Sequence, residues 1–304
     1  MAPIITSNGL TKWYGRSRGI QDVTFTVNEG EIFGFLGPNG AGKTTTIRLL
    51  MGLLHPSDGN ASIGGFDTWS ESVAVKRLVG YLPSDPQLDS DLTGGQLIEY
   101  FANLRGGVDK KYMQSLVDRF ELDTRKRFRD YSRGNKQKVG IVQAFMHQPK
   151  LLVLDEATSG LDPLNQQEFN KLLLESRDRG GAVFLSSHIL PEVEQVCSRV
   201  GIIRDGTLIK VDTVASLRDL RQHEVTLTFP APVAGDAFAG LPGVRSVAAN
   251  GNTVKLVVSG DLGAIVRAAA DHNATNLVTH EQSLEDVFLR YYESGQPAVE
   301  ATHA

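Results

Sequence analysis

Gly37-Pro38-Asn39-Gly40-Ala41-Gly42-Lys43-Thr44-Thr45 separates an apolar run, residues 31–36, from an amphipathic run, residues 46–51. This order predicts a strand, a glycine-rich loop and a helix, and the letters match the phosphate-binding pattern G-x-x-x-x-G-K-[ST]. Glycines allow backbone N–H groups to turn towards a phosphate chain, and a helix beginning at Lys43 adds the positive end of its dipole. We therefore expect Lys43 to reach the β- and γ-phosphates and the Thr44 hydroxyl to bind Mg²⁺.

The length, charge and cysteine content narrow the class of protein. A chain of 304 residues has room for one large domain, or for one large and one small domain. Its net charge of −4 gives no sign of a nucleic-acid binder, which would usually be basic. The single cysteine, Cys197, excludes an internal disulfide and fits a reducing, cytosolic setting.

Membrane and export signals are not expected. The first residues do not have the pattern of a signal peptide. No apolar run approaches the ~20 residues of a membrane-spanning helix. We therefore expect that the chain cannot form a membrane pathway alone.

The pattern along the chain predicts an α/β fold. Residues 4–36 read as short strands, residues 91–147 as mainly helical, and residues 163–179 as a helix. Residues 151–154 and 182–186 are apolar throughout, which is typical of strands that are buried on both faces. Strands that alternate with helices indicate a parallel sheet.

A second, smaller domain is predicted after residue 221. Residues 225–229, 253–258 and 276–278 read as strands, and residues 262–272 as a helix, with a Pro/Gly/Ala-rich connection over 230–242. A last helix opens at Ser283, with Asp286 three residues on as its capping partner. We expect an α+β domain over 222–293 and a disordered tail over 294–304.

Polar residues follow the two apolar strands. Asp155 and Glu156 end the first strand and His188 follows the second, at the sheet edge where α/β proteins bind ligands. Asp155 is expected to support Mg²⁺, and Glu156 to polarise a water for attack on the γ-phosphate. His188 is expected to sense the γ-phosphate and to organise that water.

Five segments follow one another in a characteristic order: residues 37–45, 132–135, 155–156, 159–162 and 188. In this order the chain resembles the nucleotide-binding subunits of ATP-binding cassette (ABC) transporters, over roughly residues 4–220. The resemblance implies a P-loop NTPase cassette (1–221) with an antiparallel β-subdomain and a helical subdomain at about 85–147. It implies that two copies pack head to tail, so that ATP on one loop is capped by Ser132, Arg133, Gly134 and Asn135 of the other copy. It also implies a dimer seam at Ser159, Gly160, Leu161 and Asp162. Tyr14 would stack on the adenine, and its neighbour Trp13 is expected to be a core aromatic.

Two stretches compete for the capping role, for which the family pattern is L-S-G-G-Q. Residues 92–96, LTGGQ, match the letters better than residues 131–135, YSRGN. We choose the second because the family segment opens the helix that leads directly into the Asp155 strand. Residues 92–96 instead predict a helix start, with Thr93 as the cap and Gln96 as its partner.

One departure from the family concerns the metal site. Where the family has a glutamine that touches Mg²⁺ and couples the site to the membrane subunits, this chain has Ser84. Serine is too short to reach the ion directly. A bridging water, substitution by Asp85 or Gln87, or a weaker contact with Mg²⁺ all remain open.

The resemblance implies an ATP hydrolase, and a single cassette followed by an α+β domain resembles the drug- and antibiotic-exporting subfamily. We expect ATP and Mg²⁺ as ligands, integral-membrane permease subunits and a second copy as partners, no nucleic acid, and a peripheral place at the cytoplasmic face of the membrane. The substrate would be small and hydrophobic. Two alternatives stay open: a soluble cassette ATPase acting on a ribosome or DNA, and an ATP-regulated binding module. A P-loop kinase or GTPase is disfavoured, because neither accounts for the Ser132 segment.

Overall fold

The computed structural model describes residues 2–86, 91–219 and 222–281. The chain divides into two compact units, residues 1–212 and 213–304, whereas the sequence predicts the boundary at residue 222. Gln87, the helix expected from Ser283 and the tail expected from residue 294 lie outside the described residues. Among the described residues, no helix combines the length and apolar character that crossing a bilayer requires.

The first unit begins with two strands and then mixes strands and helices, with three successive helices between β6 and β7. The strands are β1 (Pro3–Tyr14), β2 (Ser17–Asn28), β3 (Ile32–Leu36), β4 (Asp58–Ile63), β5 (Phe66–Asp67), β6 (Val79–Leu82), β7 (Leu151–Asp155), β8 (Ala182–Ser187), β9 (Arg199–Arg204) and β10 (Thr207–Thr213). The helices are α1 (Lys43–Leu50), α2 (Ser72–Leu78), α3 (Gly94–Leu104), α4 (Lys110–Arg119), α5 (Arg133–Phe145), α6 (Pro163–Asp178) and α7 (Leu190–Val196).

These strands form two sheets. An antiparallel sheet has the order β2-β1-β4-β5, and a second sheet has the order β10-β9-β3-β8-β7-β6, with parallel pairing from β9 to β6. The predicted parallel sheet is therefore confirmed, and β7 and β8 are buried throughout. The prediction of short strands over residues 4–36 is wrong for β1 and β2, which are 12 residues each, because the chain turns only once between them.

A cluster of phenylalanines joins the two sheets. Phe25 of the antiparallel sheet stacks on Phe33, Phe35 and Phe184 of the parallel sheet, with ring centroids 5.6–5.7 Å apart. Aromatic pairs of this kind add about 0.5–1.5 kcal/mol each beyond their area burial. The cluster fixes β3 and β8, and thereby the loops that follow both strands.

The second unit is built around its own core. After α8 (Val214–Asp219) it runs β11 (Gln222–Thr228), α9 (Asp236–Ala239), β12 (Val244–Asn250), β13 (Thr253–Ser259), α10 (Gly263–Asp271) and β14 (Asn276–Glu281). The strands pair antiparallel in the order β12-β13-β11-β14. This βαββαβ order is that of the ferredoxin-like motif. Buried side chains from β11 and β13 face Phe238 and Ile265 in one hydrophobic cluster.

Candidate active site

The loop between β3 and α1 has the conformation that its glycines allow. Gly40 and Gly42 have φ angles of 81° and 109°, in the left-handed region that favours glycine. A Cβ at Gly42 would lie 2.6 Å from Cγ2 of Ile20, so only glycine fits there. Helix α1 then begins at Lys43 with no acidic residue in its first turn. The loop therefore offers the positive end of a helix to an anion.

Lys43 is buried beneath this loop, with 4% of its surface exposed. Its Nζ donates to the carbonyl oxygens of Gly37 at 2.6 Å and Pro38 at 3.0 Å. The same Nζ lies 3.3 Å from Oε1 of Glu156. The ammonium is thus held where the phosphate-binding loop meets the end of β7.

Asp155 joins the loop to two neighbouring strands. Its carboxylate is 1% exposed and accepts from the Thr44 hydroxyl at 2.9 Å and from the Ser186 hydroxyl at 2.6 Å. A buried carboxylate beside a hydroxyl is an oxygen donor set of the kind that Mg²⁺ prefers, so Thr44 and Asp155 fit this ion. Ser186 is not among the residues predicted from the sequence, although it lies only two positions before His188.

Lys43 and His188 both contact the Glu156 carboxylate. Oε1 of Glu156 lies 3.2 Å from Nδ1 of His188 and 3.3 Å from Nζ of Lys43. Glu156 has a φ of 48°, and its N–H donates to the Ser186 carbonyl at 3.2 Å. A non-glycine residue in this region costs on the order of 1–3 kcal/mol, which the surrounding contacts must offset.

A cavity of about 320 Å³ opens over this centre. It is lined by Asn39, Gly40, Gly42, Lys43, Thr44, Thr45 and Glu156, and on its other side by Tyr14, Arg18 and Gly19. Gly37, Pro38 and Ala41 instead build the loop: the Gly37 N–H donates to the Ser187 carbonyl, and the Ala41 N–H to that of Pro38. Arg18 was missed by the sequence reasoning, because no motif surrounds it.

The residues at the end of β1 correct one expectation. Tyr14 faces the cavity, but Trp13 is 41% exposed and is not a core aromatic. Alternation along β1 places the two side chains on opposite faces of the sheet, and this end of the strand extends past the core. The Trp13 N–H donates to the Ser57 hydroxyl at 3.0 Å.

The Ser132 segment lies apart from this cavity. Within the described part of the chain, none of Ser132, Arg133, Gly134 and Asn135 lines it. Ser132 caps α5 by accepting from the Asn135 N–H at 3.4 Å. Arg133 donates to the Ser159 hydroxyl at 2.8 Å, so the segment contacts the loop after β7.

Residues 159–162 connect that loop to α6. Asp162 caps the helix by accepting from the N–H groups of Leu164 at 3.1 Å and Asn165 at 3.0 Å. The hydrogen bond from the Asn165 backbone is the main cause that lowers the pKa of Asp162 below its usual range. Leu161 is buried, and Gly160 has a φ of 84°.

Ser84 is not brought to the centre. It follows β6, and among the described residues it does not line the cavity over Lys43. Its neighbours Pro83 and Asp85 line a different, mostly apolar cavity of about 470 Å³. The nearby alternative Asp85 therefore belongs with that second cavity.

Comparison with known proteins agrees with this arrangement. The model of the ABC transporter family matches residues 20–159. The bacitracin transport ATP-binding protein BcrA of Enterococcus faecalis is 32% identical, over 97% of this chain and 98% of its own. The linearmycin resistance ATP-binding protein LnrL of Bacillus subtilis is 30% identical, over 94% of this chain and 97% of its own. A solved ATP-binding subunit of an ABC transporter is 32% identical, with a TM-score of 0.66 over 71% of this chain and 92% of that chain.

Proposed function

Because the chain belongs to the ATP-hydrolysing subunits of the ABC transporter family, we propose that it powers the export of a small, hydrophobic compound through separate membrane subunits. The observation that carries this proposal is the Glu156 carboxylate at the phosphate-binding loop, which lies 3.3 Å from Nζ of Lys43 and 3.2 Å from Nδ1 of His188. Phosphoryl transfer needs little more from a protein than positioning and charge stabilisation, which these groups supply.

Glu156 is the general base in this proposal. The water oxygen forms a bond to the γ-phosphorus while the bond to the β–γ bridging oxygen breaks, and the Glu156 carboxylate takes up the water proton. Lys43 binds the β- and γ-phosphates, and His188 holds the γ-phosphate and the attacking water. Tyr14 stacks on the adenine at the far side of the cavity.

Thr44 and Asp155 hold the magnesium ion. Mg²⁺, when bound, neutralises charge on the phosphate oxygens. Ser186 fixes one oxygen of Asp155 at 2.6 Å and so sets the orientation of the carboxylate. Ser84 is not a direct ligand in this proposal, since its side chain is short and does not line the cavity within the described residues.

A second copy completes the site. Ser132 to Asn135 open α5 with a hydroxyl and the N–H groups of a first helical turn, the kinds of donor that a γ-phosphate accepts from. They do not line their own chain's cavity within the described residues, so in this proposal they cap the ATP of a second copy packed head to tail. Ser159 to Asp162 then lie on the seam.

The membrane subunit docks, in this proposal, at the apolar cavity of about 470 Å³. Pro83 and Asp85 line it beside Ser84, the position at which the family couples its site to the membrane subunits. Phe101 of α3 lines the cavity, whereas its neighbour Tyr100 does not and is 51% exposed. Phe101→Asp should abolish copurification with an integral-membrane protein, and Tyr100→Asp should retain it. Equal retention by both variants would exclude this surface.

The names of two relatives support the proposed direction and cargo. One is named for bacitracin transport and the other for linearmycin resistance, and the relatives match this chain over nearly its full length. We infer export of an antibiotic-like compound, with the chain held at the cytoplasmic face of the membrane through its permease.

Glu156→Gln tests the base. We expect this variant to bind ATP with Mg²⁺, to hydrolyse it at least about 10²-fold more slowly, and to accumulate as an ATP-dependent dimer in size-exclusion chromatography. Glu99→Gln is the matched control, because Glu99 is exposed on α3, where it pairs with the exposed Lys110 at 3.6 Å. Near-normal turnover in Glu156→Gln would show that another group is the base.

A further inference from the structure

Arg133 is this chain's own departure from the L-S-G-G-Q pattern, which has glycine at this position. Its guanidinium donates to the Ser159 hydroxyl at 2.8 Å. The aliphatic part of its side chain lies along Gly160, where an added Cβ would be 3.4 Å from Cγ of Arg133. An arginine side chain therefore spans the gap between the start of α5 and the loop after β7.

The same helix grips that loop at a second point. Gln137 is fully buried, and its Nε2 donates to the Ala157 carbonyl at 2.9 Å. Residues 133 and 137 are one turn apart on the same face of α5. The backbone of Gly134 lies between them against Gly160, whose carbonyl oxygen is 2.5 Å from an ideal Cβ at Gly134.

The gripped loop carries Glu156. The Ser159 N–H donates to the Glu156 carbonyl at 3.1 Å, which closes a turn between the two residues. A cavity of about 230 Å³ continues from Ser159 to Glu156 and His188. A displacement of Ser159 would thus change the backbone that holds the Glu156 carboxylate.

We propose that Arg133 is a positioning residue for hydrolysis: by holding Ser159 on the first turn of α5, it keeps the capping segment and the Glu156 loop as one preassembled patch for a second copy. The inference rests on the proposed function, since the patch matters only if a second copy packs there. Groups held in place before association lose less freedom on binding, and so the patch favours the closed dimer.

The test is a double-mutant cycle of Arg133→Ala and Ser159→Ala in the full chain, with kcat and KM for ATP measured at saturating Mg²⁺. We expect each single variant to lose about tenfold in kcat, the size expected for one hydrogen bond to a charged group. The double variant should be no slower than either single one, and Arg133→Lys should recover part of the rate. KM for ATP should change by less than about twofold, because in this inference Arg133 acts through Ser159 and not through direct contact with ATP.

The control is Arg125→Ala, because the Arg125 side chain is 94% exposed and pairs with Asp123 at 3.6 Å on the surface. It should keep the wild-type rate, and all variants should keep the wild-type melting temperature within a few degrees. Additive losses in the double variant, or a Ser159→Ala variant with the wild-type rate, would overturn the inference. Loss of turnover in Glu156→Gln tests the base separately. Unchanged kcat in Arg133→Ala and Ser159→Ala would therefore leave the proposed function standing.

Discussion

Helices α3 and α5 both begin after a hydroxyl residue that caps the helix, yet their first turns have different neighbours. At α3 the cap is reciprocal: Thr93 accepts from the Gln96 N–H at 3.3 Å, and the Thr93 N–H donates to Oε1 of Gln96 at 2.8 Å. The two glycines of this turn pack on Tyr131 and Thr124. This helix start is therefore satisfied within its own subdomain.

At α5 the cap is a single contact. Ser132 accepts from the Asn135 N–H at 3.4 Å, and within the described residues no side chain of this first turn accepts from the Ser132 N–H, as the Gln96 side chain accepts from the Thr93 N–H at α3. Instead, Arg133 and Gly134 contact the loop after β7. Residues 92–96 match the family pattern better, but their contacts are those of a stabilising helix cap. Residues 131–135 match it less well, yet they contact the loop that carries Glu156.

Alanine at Gly134 of α5 and at Gly94 of α3 should give the largest difference between the two helix starts. At Gly134 the new Cβ would meet a backbone oxygen, Gly160 O at 2.5 Å, which can yield only by moving the loop. We expect ATPase activity to fall by about 10²-fold, the cost of a displacement near 1 Å at a site. The free energy of unfolding should also fall by about 1–3 kcal/mol, because the helix propensity of alanine does not offset a clash with backbone.

Gly94→Ala is the matched variant at α3. Its Cβ would meet the hydroxyl of Tyr131, which donates to the Asp123 carbonyl. We expect a loss of about 1–3 kcal/mol in the free energy of unfolding, from overpacking and the disturbed hydrogen bond. The specific activity of the folded fraction should persist. If folded Gly94→Ala protein lost activity and folded Gly134→Ala protein kept it, the two roles would have to be exchanged.

Removing the two caps should give smaller effects, mainly on stability at α3 and mainly on kcat at α5. Thr93→Ala should lower the free energy of unfolding by about 1 kcal/mol and leave kcat unchanged, because a full capping box is lost far from the cavity. Ser132→Ala should cost less stability, since its cap bond is long, but should lower kcat. Chemical denaturation and steady-state ATPase assays on both variants measure the two effects.

The far end of α5 offers the smallest effect, through pH. Burial, with the positive charge of Arg105 as a second cause, lowers the pKa of His147 to about 4. Because the unfolded chain takes up this proton near pH 6.5, stability is complete above that pH and falls as the pH drops towards 4. Wild type should lose about 2 °C more in melting temperature than His147→Gln between pH 7.5 and 5.0. Equal losses would assign the acid sensitivity to other groups.

Much of the site could be predicted from the sequence because parallel strands end at one edge of a sheet. Asp155, Glu156 and His188 each follow an apolar run, and β3 lies beside β8, which lies beside β7. The capping roles of Thr93 and Gln96 are also confirmed, since a capping box depends only on local spacing.

Other parts could not be predicted because they depend on tertiary contacts. Arg133 and Ser159 are 26 residues apart, and no pattern in either segment indicates that they meet. Arg18 reaches the cavity only through the pairing of β1 with β2. Strand β12 has few buried side chains, so it lacks the apolar alternation that indicates a strand.

The contacts of Lys43 imply that nucleotide binding is an exchange of partners. Two loop carbonyls and the Glu156 carboxylate already hold the ammonium, at 2.6, 3.0 and 3.3 Å. An incoming phosphate must compete with them, so the measured affinity for ATP is a difference between two sets of bonds. In the proposed mechanism Glu156 therefore competes with the phosphate for Lys43 and also acts as the base. Weakening its contact with Lys43 should lower the Kd for ATP, even in a variant that keeps its turnover.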